Sequence, residues 1–204
     1  MKTAYDQYLL PCLTDLVCSS RIFARTRASL VPQAEGRVLE IGIGSGHNLR
    51  FYRPDRVTSL TGVDPSAGMT RRARRRAVAI PIPVDIVSLE LGEIQAETAS
   101  FDSIVCTFTL CTIPDLETAF REMRRVLRPG GRLLFGEHGR APDAAVARWQ
   151  DWLTPLWRPL AGGCHLNRDI PALIRAGGFR IEEMGADYLS RPRILTYVYR
   201  GWAR

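Results

Sequence analysis

The sequence predicts an α/β domain, a doubly wound and mostly parallel sheet of seven strands with helices on both faces and a helical cap at its N-terminal end. Three observations carry that expectation. The apolar run Arg37 to Ile41 reads as a buried parallel strand. It opens at once into Gly42, Gly44 and Gly46, and His47 to Tyr52 then reads as a short helix, so strand, glycine turn and helix form the first unit of a nucleotide-type fold. A second apolar strand, Val57 to Val63, ends in an acid, Asp64, followed by Pro65 and Ser66.

Residues 3 to 30 repeat Leu9, Leu13, Leu16 and Val17 at helical spacing, with Pro11 breaking the run near its start. A cap over residues 1–35 can close the open side of a ligand pocket, with Tyr5 and Tyr8 over the reacting centre, or simply pack on the sheet. The alternate glycines let a backbone turn approach a ligand closely, and the N–H groups of the next turn point back at it. The dinucleotide fingerprint would need a third glycine at position 47, where His47 stands, and no Gly-Lys-Ser/Thr follows, so neither that fingerprint nor a phosphate-gripping loop is present.

Ser66 is a good cap for a helix to Ala79. Arg71, Arg72, Arg74, Arg75 and Arg76 crowd that helix, as a solvated face or as a contact for acidic lipid or RNA. Pro81 and Pro83 mark a turn before a third strand, Val84 to Leu89. Residues 90–100 read as a loop with room for a short helix. Phe101 to Thr107 is the fourth strand, and Thr107 to Thr112 lies beyond its carboxyl end, where open α/β sheets bind ligands. Asp115 to Leu127 is amphipathic and stops at Arg128-Pro129-Gly130-Gly131. The fifth strand, Arg132 to Phe135, runs into Gly136-Glu137-His138-Gly139. Over residues 140–178 an aromatic-rich helical stretch holds Trp149, Trp152 and Trp157. Gly162, Gly163, Cys164, His165 and a helix from Ile170 to Arg175 follow. This insertion suits a lid over a small apolar ligand, or plain core. Phe179 to Tyr188 and Ile194 to Tyr199 read as an antiparallel hairpin at the sheet edge.

The pattern Glu40-x-Gly42-x-Gly44-x-Gly46, with Asp64 closing the second strand, resembles the class I S-adenosylmethionine (SAM)-dependent methyltransferases, whose fold is Rossmann-like. Arg125 to Gly131 matches that family's Leu-x-Pro-Gly-Gly turn, and Asp102 its structural acid. The resemblance implies SAM as cofactor and S-adenosylhomocysteine as product. It implies that Asp64 accepts the ribose hydroxyls, that Glu40 sets negative charge near the cationic methionine end, and that Glu93 and Ile94 meet the adenine edge. Met69 would lie on the adenine face, with core packing as the alternative. Asn48, Pro65 and Thr107 complete the implied cofactor set. The family's base-methylating branches carry Asn/Asp-Pro-Pro-aromatic or Pro-Cys beyond the fourth strand; both are absent here, so nucleic acid is not expected as substrate.

Leu110 to Asp115, Glu137-His138-Gly139 and Gly163 to Arg168 look closer still to the alkyl-thiol S-methyltransferases, and the whole chain to the quinone and phospholipid methylating group. A small thiol or sulfide is the favoured acceptor. A phospholipid amine or quinone is the alternative, and a non-catalytic SAM-binding or RNA-associated module the reading from a different class. Leu110, Cys111, Trp149, Trp152 and Cys164, with Tyr5 and Tyr8, are the candidate acceptor residues. His138 or His165 can take the proton, with Glu137 orienting. The cysteines read as pocket lining, because methyl transfer needs no covalent enzyme intermediate. No paired Cys/His spacing suggests a metal.

Composition agrees. A chain of 204 residues, 46% apolar, fits one domain, 1–204, with a sizeable core. No apolar run approaches the roughly 20 residues that cross a bilayer. Met1 to Asp6 lacks a signal-peptide layout, and five cysteines at irregular spacing fit reduced thiols, so a cytoplasmic protein is expected. The net charge of +7 leaves peripheral contact with an acidic membrane open. The oligomeric state is not legible.

Overall fold

The computed structural model describes Tyr5, residues 9–89 and residues 94–204; Tyr8 and Glu93 lie outside the described residues. The strands are β1 (Gly36–Ile41), β2 (Val57–Asp64), β3 (Val84–Ser88), β4 (Phe101–Thr107), β5 (Leu127–His138), β6 (Ile181–Tyr188) and β7 (Tyr197–Ala203). They form one sheet in the order β3-β2-β1-β4-β5-β7-β6. β1 pairs in parallel with β2 and β4, β2 with β3, and β4 with β5. Only β7 runs against its neighbours. The helices are α1 (Leu10–Cys18), α2 (Arg21–Leu30), α3 (Ala67–Ala77), α4 (Leu116–Val126), α5 (Ala144–Leu160) and α6 (Ile170–Ala176).

Strand side chains alternate between faces, and each face carries its own core. Leu39, Ile41, Ile104, Cys106, Leu133 and Phe135 pack under α4 and α6. Val38, Leu60, Val105 and Leu134 pack with Leu30 of α2 and Ala73 of α3. The central strands are apolar on both sides because both sides are covered. The order reverses at β1, since β2 and β3 lie to one side of it and β4 and β5 to the other. The carboxyl ends of β1, β2 and β4 therefore border the crevice where such sheets take ligands.

Four local expectations change. His47 to Tyr52 is not a helix: it is a turn with one 3-10 segment, Leu49–Phe51. Asn48 and Tyr52 at its ends are both drawn onto the buried Glu40, which fixes the backbone better than continued helix would. The N-terminal helix breaks at Ser19 and Ser20, not at Pro11. Pro11 sits in the first turn of α1, where a missing N–H costs nothing. The turn after α4 is absorbed into β5: Leu127 pairs with Phe101 and Arg132 with Ser103, and the residues between make a bulge. The last strand starts at Tyr197, because Arg193–Leu195 form a 3-10 turn.

Candidate active site

The glycine turn sits where β1 ends. Gly42 has φ +70°, and a Cβ there would overlap the Thr109 side chain. Gly44 has φ +55°, and a Cβ there would lie 3.6 Å from the Met69 methyl and 3.9 Å from the Gly42 carbonyl oxygen. The first glycine is thus required by the protein's own packing, while at the second a Cβ would make only ordinary contacts and the positive φ is what favours glycine. Asp64 binds the turn to α3. One carboxylate oxygen accepts the Gly44 N–H at 3.0 Å, the other the Ser66 N–H at 2.8 Å. Ser66 Oγ in turn accepts the Met69 N–H at 3.4 Å and caps α3. Met69 is buried with its methyl beside Gly44 of the turn, and Pro65 is exposed beside Asp64.

Glu40 is 1% exposed. Its oxygens accept Asn48 Nδ2 at 2.9 Å and the Tyr52 hydroxyl at 2.8 Å. Burial pushes its carboxyl up to about 7, partly opposed by those two bonds. Asn48 Nδ2 also reaches Thr107 Oγ1 at 3.0 Å, joining the ends of β1 and β4. Asn48 Oδ1 is buried with no hydrogen-bond partner among the described residues. A buried acceptor seeking a donor, beside a carboxylate that burial keeps near neutrality, suits a cationic group. The ammonium end of SAM answers both needs, so these residues fit the cofactor.

Ile94 has a different task from the one expected. Its N–H donates to Glu122 at 3.0 Å and its carbonyl accepts from Arg125 at 2.7 Å, tying the loop to α4.

On the acceptor side, Glu137 is fully buried and both its oxygens accept the Thr109 N–H, at 3.0 and 2.9 Å. Burial pushes it up to about 7, against the pull of the Thr109 and Leu110 N–H groups. It holds the loop after β4, where Phe108 has φ +55°, and orients neither histidine. Leu110 is fully buried, and its carbonyl accepts from Arg168. Cys164 lies against Cys111, His138 and Trp157. The hydrogen bond from Cys111, with help from His138 and Trp157, pulls the Cys164 thiol well below its usual range despite burial, while Cys111 moves up. His138 Nε2 and Trp157 Nε1 are buried and have no hydrogen-bond partner among the described residues. His165 is committed elsewhere. Its backbone N–H reaches the Cys111 carbonyl at 2.9 Å and its Nδ1 lies 3.1 Å from the same oxygen. Trp149 and Trp152 do not join this cluster; they are exposed and stack edge to face at 5.6 Å. The Tyr5 hydroxyl donates to the Leu160 carbonyl at 2.6 Å and so pins the N-terminal segment to the end of α5.

The sequence reading missed Asp15. It accepts from Ser45 Oγ and from Arg72 at 2.9 Å, and pairs with Arg76 at 3.2 Å and His47 Nε2 at 2.8 Å. Burial raises its pKa, but the Ser45 hydroxyl and Arg76 outweigh it and hold the group at about 2. Asp15 is the only acid between residues 9 and 30, in a segment that precedes an arginine-rich helix, and that asymmetry was the available signal.

Comparison with known proteins bears on this geometry. Residues 39–135 match the family model described as a methyltransferase domain. The human thiol S-methyltransferase TMT1B is 33% identical over 179 residues, covering 81% of this chain and 71% of that protein. The chain belongs to the SAM-dependent methyltransferases. Across the TMT1A and TMT1B proteins it spans from 55% to 77% of the relative's length. A phosphatidylethanolamine N-methyltransferase of Cereibacter sphaeroides is 33% identical over 129 residues, 61% of this chain and 63% of that one. The fold is that of a SAM-dependent methyltransferase from Methanosarcina mazei, with a TM-score of 0.66 at 20% identity over 90% of this chain and 96% of the other. The cofactor of this methyltransferase is SAM.

Proposed function

We propose that this methyltransferase acts on a small thiol or hydrosulfide in the cytoplasm, with His138 Nε2 taking the acceptor's proton. The observation that carries this reading is the environment of Cys164. Cys111, His138 and Trp157 converge on one sulfur and favour its anion. The thiolate is the nucleophilic form of sulfur, so donors that stabilise one thiolate here suit another beside it. SAM supplies an activated methyl group. The chain's own work is to place the acceptor sulfur in line with that group at a near-attack distance of roughly 3–3.5 Å and to exclude water. Glu137 and Arg168 do this indirectly, by fixing Thr109 and Leu110 as a wall. Of the two histidines, His138 is the one that lies against Cys164, so the proton is assigned to it. Five free cysteines, two of them adjacent in this pocket, suit a reducing compartment.

The test is S-adenosylhomocysteine release with sulfide, methanethiol, a longer alkyl thiol, a quinol and phosphatidylethanolamine vesicles. Turnover on the thiols alone is expected. His138→Ala should lower kcat/KM about tenfold to a hundredfold near pH 6.5, within the range for a lost general base. The loss should shrink as pH passes the thiol's own pKa of about 8.5, where no base is needed. A deficit independent of pH would remove His138 from that role, and turnover confined to the quinol or vesicles would remove the thiol.

A further inference from the structure

We propose that α1 and α5 together form a docking face for an anionic bilayer surface. α5 is inverted relative to an ordinary surface helix. Its sheet-facing side carries Ala147, Gln150 and Thr154, all buried. Gln150 ties the helix to the segment that follows β5, through the Gly139 carbonyl at 3.1 Å and the Ala141 N–H at 2.9 Å. The outward side carries Trp149, Trp152, Leu156 and Leu160, spaced three, four and four residues apart and so on one stripe. Between 59% and 64% of each is exposed. α1 repeats the arrangement: Leu9, Leu13, Leu16 and Val17 are 43% to 70% exposed. The stripes meet, because the Tyr5 hydroxyl bonds the Leu160 carbonyl and a Cβ on Gly162 would lie 3.2 Å from Leu10. An apolar patch of this extent marks an interaction surface.

Charge selects the occupant. Arg21, Arg25, Arg148 and Arg158 are exposed on α2 and α5 around the stripes. The acids of α1 and α5 are neutralised within the protein: Asp15 by Arg72 and Arg76, Asp151 by Arg140 at 2.7 Å. An apolar stripe bearing tryptophans and fringed by arginines matches the interface between acyl chains and acidic headgroups. A second copy of the chain would bury the same side chains but set arginines against arginines. Among the described residues no helix is long and apolar enough to cross a membrane, so the contact is with the surface. Trp157, on the inner side of α5, lies against Cys164, which puts the face beside the acceptor pocket.

The test floats the full chain, without acceptor, on vesicles of phosphatidylcholine alone and of phosphatidylcholine with phosphatidylglycerol. The protein should float with the phosphatidylglycerol vesicles, with a blue shift of tryptophan emission, and far less with the neutral ones. The double variant Leu13→Glu, Leu156→Glu should lose at least about tenfold in partitioning, from two apolar side chains no longer buried. Its SAM affinity, measured by calorimetry, should be unchanged, which shows that it is folded. The proposal fails if the protein stays in the soluble fraction, if neutral vesicles bind it equally, or if the double variant floats as well as the parent. It also fails if the variant converts a dimer to a monomer in sedimentation velocity, because the face would then join two copies. The readout needs no methyl transfer, so it stands or falls separately from the thiol reading.

Discussion

Asp64 and Glu40 do opposite things with the same functional group. Asp64 takes two backbone N–H groups from the glycine turn and the α3 cap at a half-exposed position. Glu40 is sealed in, and burial raises it to about 7. Asp64→Ala should weaken SAM binding by the loss of up to two charge-assisted hydrogen bonds, each about 1.5–3 kcal/mol. Calorimetry checks this, and unchanged affinity would remove Asp64 from the ribose. For Glu40 the effect is one of pH. A cation binding nearby favours the carboxylate, so binding must release a proton wherever Glu40 is protonated beforehand. SAM affinity should therefore rise as pH climbs through about 7 and flatten in Glu40→Gln; a parent profile as flat as the variant's would refute the coupling. Both acids were legible because their chemistry lies in contiguous strand-and-turn motifs. Asp15 was not, since its meaning depends on Ser45, Arg72 and Arg76, residues that only the fold brings to it. Glu137 was placed at the right strand end, but its partner is a loop N–H that no spacing announces.

At the scale of elements, the cap is the part whose order depends on few contacts. Asp15 is where α1 meets the glycine turn, and the same carboxylate holds two arginines of α3. Asp15→Ala leaves Arg72, Arg76 and the Ser45 hydroxyl without their common acceptor, a loss of about 1–3 kcal/mol for the contact. Cleavage at the exposed Ser19 between α1 and α2 should then quicken in limited proteolysis, and SAM should weaken as the cap loosens. A cleavage rate equal to the parent's would show that Leu10 and Tyr5 against the end of α5 hold the cap on their own. Strand positions were the most legible elements: β4 spans the residues its apolar run marks, and β1 and β2 differ by one residue at an end. Apolar runs buried on both faces leave little freedom. Element ends decided by side chains read less well. The stretch after Gly46 lost its helix to Glu40, and β5 gained its first residues because Leu127 found Phe101 as a partner.

For the whole molecule, the buried carboxylates set how stability varies with pH. Glu40 and Glu137 both rise from 4.5 to about 7 on folding. The folded chain holds protons there that the unfolded chain releases, so their contribution is fully present below about 4.5 and is lost as pH rises through about 7. Asp15 works the other way: held at about 2, it stabilises above its unfolded value of 3.8 and gives way only in stronger acid. The protein without SAM should therefore melt highest in mildly acidic buffer and decline toward neutral pH, a profile shifted to acid relative to most globular proteins. Bound SAM should flatten that decline, because a cation beside Glu40 restores the value of its ionised form. Thermal melts from pH 4 to 8 with and without SAM separate the two carboxylates. Glu40→Gln should remove the part of the slope that SAM also removes, and Glu137→Gln the part that SAM leaves. If SAM raised the melting temperature by the same amount at every pH, Glu40 would not sense the cofactor's charge, and its burial would serve only to hold Asn48 and Tyr52 in place.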